Sequence, residues 1–234
     1  MYLKRKWLPR LKKRLRHSGN TANVVHVDSV DPDPNDIRTA TDILGQKGVL
    51  VFPTSGLYGL GADAFCAEAV RRVFSIKRRP ANKPLLLLLS GIPDMAKVVG
   101  AVPDYADLLL ELWPGGITFI FKAGARVPVY LTGGTGKIGV RLPAHPVAKA
   151  LVEGFGGPIT GTSANLSGFP AVASVTDLDP EIGRQVDMVL DAGPLAGGCG
   201  STIVDVTCWP VKVIREGVVP RRAIDDALKK GGAI

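Results

Sequence analysis

Short apolar runs and helix-phased stretches take turns along most of this chain. Val24 to Val27 reads as a strand. Asp36 to Gln46 reads as a helix, with Ile37, Ala40, Ile43 and Leu44 on one face and a glycine stop at Lys47-Gly48. Val49 to Phe52 is a short apolar strand. Glu68 to Lys77 is helical, with Val70, Val73, Phe74 and Lys77 in phase, and Leu85 to Leu89 is a strand made of leucine alone. Two helices are predicted near Asp94 to Val99 and Asp104 to Trp113. Strands follow at Ile117 to Phe121 and Ile138 to Arg141, then a helix at Pro146 to Phe155. Strands at Met188 to Asp191, Thr202 to Val206 and Val211 to Arg215 precede a closing helix at Arg221 to Lys230. Strands so uniformly apolar belong to a sheet covered on both faces. The alternation predicts an α/β fold: a single domain with an open mixed sheet flanked by helices.

Composition changes this picture at one place. Of 234 residues, 46% are apolar and 21% charged, which suits a globular protein and excludes a disordered one. The net charge of +8 is concentrated. Eight cations, Lys4 to Arg16, fall in the first 17 residues, and the rest of the chain balances 21 cations against 21 acids. Residues 1–22 therefore read as a basic extension and residues 23–230 as the folded domain. Leu3, Trp7, Leu8, Leu11 and Leu15 recur at helical spacing, with Pro9 in the first turn or breaking it. A solvated tail is the plainer reading of this extension. An arm that contacts RNA, an anionic membrane surface or a partner is the other.

Cys66, Cys199 and Cys208 make no CxxC pair, and His17, His26 and His145 are scattered, so neither a disulfide framework nor a protein-held metal is expected. No run approaches the roughly 20 apolar residues that cross a bilayer. The basic start lacks the apolar core of a secretory signal. A cytoplasmic location is expected.

Four segments could carry chemistry, each at a strand end, where open α/β sheets build their sites. Pro53 to Gly61 (PTSGLYGLG) follows a strand and offers hydroxyls and glycines, for ligand approach or simply for a turn. Ser75 to Pro84 places Lys77, Arg78, Arg79 and Lys83 between a helix end and a strand. Cations suit a helix C-terminus, and a Lys–Arg pair also suits a triphosphate. Gly157 to Gly168 runs a strand into Thr162, Ser163, Asn165 and Ser167, either a phosphate cradle or a capped turn. Ser201-Thr202 before one strand, Arg215 after another and Arg141 ending a third complete the set. Thr132 to Lys137 resembles a phosphate loop only superficially and reads as a glycine turn.

In this order and spacing the four segments resemble the YrdC-like threonylcarbamoyl-AMP synthases, over roughly residues 24 to 225. The family's PT[DE]TVYGLG stands here as PTSGLYGLG, its KxR element as Lys77-Arg78-Arg79, and its SxN element as Ser163-Ala164-Asn165. Arg141 in GVRLPAHPVA, Ser201-Thr202 in GSTIVDVT and Arg215 in VIREG also match. The resemblance implies a twisted open sheet with a concave cleft. It implies a nucleotidyltransferase that joins L-threonine, bicarbonate and ATP, with Mg²⁺, into threonylcarbamoyl-AMP and pyrophosphate. Downstream transferase machinery would use that product for the t6A37 modification of tRNA. By the resemblance Lys77 and Arg79 are catalytic, and Lys77, Arg79, Lys83, Ser163, Asn165 and Arg215 hold ATP. Thr54, Tyr58, Arg141, Thr162 and Ser201 hold threonine, with Arg141 on its carboxylate. Departures gather at the threonine end: Ser55-Gly56 replaces an acid and a threonine, and Lys137 stands where a small hydroxyl residue is common. Two other readings share the fold: a non-catalytic YciO-like paralogue that binds RNA or ribosomes, and an adenylylating enzyme for another amino acid.

Overall fold

The computed structural model describes residues 23–232. The basic extension, with its helical and RNA-contact readings, lies outside the described residues. The chain forms β1 (Asn23–His26), α1 (Pro34–Gly45), β2 (Leu50–Pro53), β3 (Tyr58–Gly61), α2 (Ala67–Ile76), β4 (Leu86–Leu88) and β5 (Val99–Ala101). It continues with α3 (Asp107–Leu110), β6 (Ile117–Ala123), α4 (Val129–Thr132), β7 (Lys137–Arg141), α5 (Pro146–Phe155) and β8 (Ile159–Ser163). It closes with α6 (Pro180–Gln185), β9 (Met188–Asp191), β10 (Thr202–Asp205), β11 (Lys212–Arg215) and α7 (Arg221–Lys230).

The strands form one mixed sheet in the order β1-β9-β2-β3-β8-β4-β7-β6-β10-β11, with β5 paired to β6. β9 runs parallel to β1 and β2, β4 to β7, and β6 to β10, and the remaining pairs are antiparallel. The period-2 alternation of each strand divides its apolar residues between two cores. Val49 and Val51, Leu85 and Leu87, and Ile117 and Phe119 face the first core, under α2, α3 and α7. Leu50 and Phe52, Leu88, and Met188 and Leu190 face the second, under α1 and α5. That second cover stops at β4. On β7, β6 and β10 the side chains of the same parity, among them Thr118, Ile120, Arg141 and Ile203, line a cleft instead. The expected two-sided cover is therefore complete over only half the sheet, and the bare half is where polar residues interrupt the strands.

Several expected elements change on folding. Tyr58 to Gly61, read as part of a loop, is a full strand of the β2–β3 hairpin. Its glycines hide it from a composition-based reading, because glycine in a strand marks a close backbone approach. The helix expected near Asp94 to Val99 is two turns of tighter 3-10 helix over Ile92–Lys97 followed by β5. The one expected over Asp104 to Trp113 shrinks to a turn plus α3. Pro114 disfavours helix in the residue before it, and Trp113 instead donates from Nε1 to the Ile117 carbonyl at 3.1 Å. The expected glycine stop of α1 is also displaced: Lys47 itself adopts φ 66°. Gly48 then donates to the Ile43 carbonyl at 2.8 Å.

A Cβ built on Gly61 would lie 2.2 Å from the Thr160 carbonyl oxygen and 2.9 Å from Phe52 Cε1. Gly61→Ala is expected to destabilise the fold by about 2–3 kcal/mol, the scale of overpacking a rigid core. Urea unfolding checks this, and an unchanged midpoint would show that β3 and β8 are not packed this closely.

Candidate active site

The cleft holds about 460 Å³ above β4, β7, β6 and β10. Its walls are the strand ends and the loops that the sequence singled out. Gly139 and Gly161 keep the floor low: a Cβ on Gly161 would sit 2.9 Å from Leu86 Cδ1.

Three arginines converge on it. Arg141, ending β7, donates from Nε to the Gly115 carbonyl at 2.7 Å and from Nη2 to Ser55 Oγ at 3.1 Å. Arg215, ending β11, donates from Nη2 to the Ser201 carbonyl at 2.6 Å and from Nε to the same oxygen at 3.2 Å. Arg79 donates from Nη2 to the Pro84 carbonyl at 2.7 Å, and its buried Nε has no partner among the described residues. Each guanidinium is thus oriented by neutral acceptors and leaves an edge unused. No Asp or Glu is among the residues lining the cleft. Burial, and then the charge of Arg215, pushes Arg141 down to about 10, and burial also lowers Arg79. Toward the other end of β7, about 13 Å along the strand, Lys137 is neutralised by Asp205 at 2.7 Å. Arg141 and Arg215 share one end of the cleft, and Arg79, bonded to the Pro84 carbonyl just ahead of β4, stands toward the Lys137 end.

The predicted nucleotide residues divide. Arg79, Ser163 and Arg215 line the cleft. Lys77 lies beneath the loop that follows β8, only 2% exposed. Its Nζ donates to the Ser163 carbonyl, to the Asn165 carbonyl at 2.7 Å and to Asn165 Oδ1 at 3.4 Å. Burial, followed by the charge of Arg79, pushes it down to about 8. Asn165 receives the Ser163 hydroxyl and donates from Nδ2 to the Leu166 and Phe169 carbonyls, facing a neighbouring hollow. Lys83 is exposed on the far side of Pro84 and is not brought to the cleft. Of the predicted threonine residues, Thr54, Arg141, Thr162 and Ser201 line the cleft. Tyr58 borders it, but its hydroxyl turns away, donating to the Gly193 carbonyl at 2.7 Å and meeting Asp191 Oδ1 at 3.1 Å. Burial pushes that hydroxyl up to about 12.

Some contributors escaped the motif reading. Thr118 shares a 2.9 Å hydrogen bond with Ser201 across β6 and β10. A polar residue at an alternate position of an apolar strand was the available signal. Gly56 has a steric cause: a Cβ there would lie 2.6 Å from the Gly197 carbonyl oxygen, and Gly197 donates back to the Gly56 carbonyl at 2.9 Å. The hairpin turn is clasped by the β9–β10 loop, which leads directly into Ser201.

Fold and site together define an α/β protein with an open cleft lined by three arginines and no carboxylate. Residues 42–217 match the sequence model of the Sua5_yciO_yrdC family, described as "Telomere recombination", and the chain belongs to that family. It is 33% identical over 193 residues to the threonylcarbamoyl-AMP synthase of Pyrococcus abyssi, covering 82% of this chain but only 57% of that protein. It is 34% identical to the threonylcarbamoyl-AMP synthase of Xanthomonas campestris, covering 81% of this chain and 99% of that protein. The structure of P. abyssi Sua5 complexed with L-threonine superposes with a TM-score of 0.83 at 32% identity, over 87% of this chain and 60% of that one.

Because the Tyr58 hydroxyl serves the strand-end loop and not the cleft, Tyr58→Phe is expected to act on stability. It leaves the Ala192 amide and the Gly193 carbonyl short of a partner, at a cost of about 1–3 kcal/mol. Thermal unfolding measures that loss. A large rise in amino-acid KM with unchanged stability would return Tyr58 to the binding site.

Proposed function

We propose that this chain is a threonylcarbamoyl-AMP synthase, using L-threonine, bicarbonate and MgATP to form threonylcarbamoyl-AMP and pyrophosphate. One observation carries the reading: Arg79, Arg141 and Arg215 converge on one cleft with no carboxylate among its lining residues. The family itself takes in YciO proteins, so membership alone does not select the reaction; the intact Lys77, Arg79, Ser163 and Asn165 support it.

In this reading the threonine carboxylate sits on the unused edge of Arg141, with Thr54, Thr162 and Ser201 around it. The threonine amine takes up CO₂ derived from bicarbonate to give a carbamate. A carbamate oxygen attacks the α-phosphorus of ATP, and the bond to the β-phosphate breaks as pyrophosphate leaves. The nucleophile is already anionic, so the chain's task is positioning and charge stabilisation rather than proton abstraction. Arg79 and Arg215 offer forked donors to phosphate oxygens, which suits guanidinium chemistry. Lys77 acts from beneath, holding the Ser163–Asn165 loop and adding a buried positive charge. The magnesium is proposed to arrive on the nucleotide, since no Asp or Glu is among the residues lining the cleft. The product would be passed to transferase machinery for the t6A37 modification of tRNA.

Pyrophosphate release from ATP with bicarbonate, with and without L-threonine, tests this reading. Threonine-dependent release is expected, falling about 10²-fold in Arg79→Ala and in Lys77→Ala. A folded protein that binds ATP but releases no pyrophosphate with any amino acid would instead favour a non-catalytic YciO-like role. Release with another amino acid but not threonine would reassign the substrate.

Titration of Lys77 adds a second test. With its folded value near 8, kcat/KM for ATP is expected to fall as pH rises through about 8. The same depressed value means that the folded state releases this proton before the unfolded state does. By linkage, Lys77's contribution to stability therefore rises between about pH 8 and its ordinary 10.5, opposite to the activity. A flat activity profile to pH 9 would show that Lys77 does not titrate in this range.

A further inference from the structure

Arg78, between the two cations of the KxR element, is one of two non-glycine residues with a left-handed backbone among the described residues; the other is Lys47. Its φ is 49°. The turn it makes closes α2. Arg79 N–H donates to the Phe74 carbonyl at 2.9 Å, and Arg78 N–H to the Ser75 carbonyl at 3.0 Å. This crossed pair is a Schellman cap, and Arg78 holds the position where glycine is the usual residue. A side chain is disfavoured there, so the arginine needs a reason beyond the turn.

Its side chain supplies one. Nη2 donates to both carboxylate oxygens of Glu181, at 2.9 and 2.7 Å, in the first turn of α6. α6 is itself anchored by the Asp179 cap and by Ile182 in the first core. The pair ties the strained turn to a fixed helix outside the cleft. On either side of it the chain diverges: Lys77 goes under the 163–165 loop, and Arg79 goes into the cleft.

We propose that Arg78 and Glu181 are a positioning pair that sets how Lys77 and Arg79 meet the nucleotide phosphates, without themselves touching the nucleotide. The proposal rests on the nucleotide reading above. A purely structural role makes a different demand: glycine fits a left-handed cap better than arginine, so Arg78→Gly would then be as good a protein in every respect. Lys47 provides the control. It is also left-handed and ion-paired, to Glu68 at 2.6 Å, but it closes α1 and does not line the cleft.

The test measures the ATP dissociation constant by calorimetry for the full chain and for Arg78→Gly, Glu181→Gln, the double variant and Lys47→Gly, with Tm and threonine KM alongside. Arg78→Gly and Glu181→Gln are each expected to weaken ATP about five-fold, the scale of a well-formed, partly exposed ion pair. The double variant is expected to be no worse than either single variant. Threonine KM is expected to hold and Tm to stay within about 3 °C, with Lys47→Gly binding ATP as the unchanged protein does. An unchanged chain that binds ATP, with Arg78→Gly binding it equally well, overturns the pair alone. An unchanged chain that binds no ATP overturns the nucleotide reading and this proposal with it.

Discussion

The ammonium group of Lys77 is the interaction on which the rest of the site depends. Removing such a charge from water costs several kcal/mol unless acceptors surround it closely. Here the acceptors are two carbonyls and an amide oxygen, all from Ser163 and Asn165. Ser167 returns a bond from its N–H to the Lys77 carbonyl at 2.8 Å. The end of α2 and the loop after β8 are therefore locked to each other, although 86 residues separate Lys77 from Ser163. Each loop supplies hydrogen-bond partners that the other needs. The KxR and SxN elements are two halves of one device, and their spacing in sequence conceals it.

The lock sits beside a second constraint, three guanidiniums in a cleft whose lining contains no acid. Burial, and then the charge of Arg215, lowers Arg141, and the guanidiniums are held in place by neutral carbonyls and hydroxyls. Those acceptors fix orientation without discharging the cations. A cleft of this kind is organised before any ligand arrives. The Lys137–Asp205 pair discharges one further cation lining the cleft and leaves the arginines as its free charges.

Sheet geometry allows both constraints to coexist with a stable fold. One face of the sheet is covered from β9 to β11, and α1 and α5 cover the second face only as far as β4. Beyond it the same alternation that buries Ile138 and Val140 presents Gly139 and Arg141 to the cleft. The cleft surface is the uncovered parity of strands whose other parity is core. Polar residues at those positions therefore leave the packing beneath them intact.

Much of this was legible in the residues alone. Pro146–Phe155, Met188–Asp191 and Arg221–Lys230 form the elements that their periodicity and bounding prolines, glycines and charges predict. Local preferences there agree with the packing. The ordered motifs also identified the loops that meet at the cleft. The glycine-rich β3, the short β5 and the shortened α3 were not legible, because each is decided by neighbours distant in sequence: Thr160 against Gly61, β6 against β5, and Trp113 drawn onto Ile117. The sequence by itself determined the fold class, the order of most elements and the cationic and hydroxyl residue types that line the cleft. Only the tertiary structure decided that Lys77 lies under its loop, that Lys83 and the Tyr58 hydroxyl face elsewhere, and that Ser55 orients Arg141. The physical reason is that side-chain direction at a loop is set by which distant acceptors can satisfy a buried charge, and spacing along the chain carries no record of that.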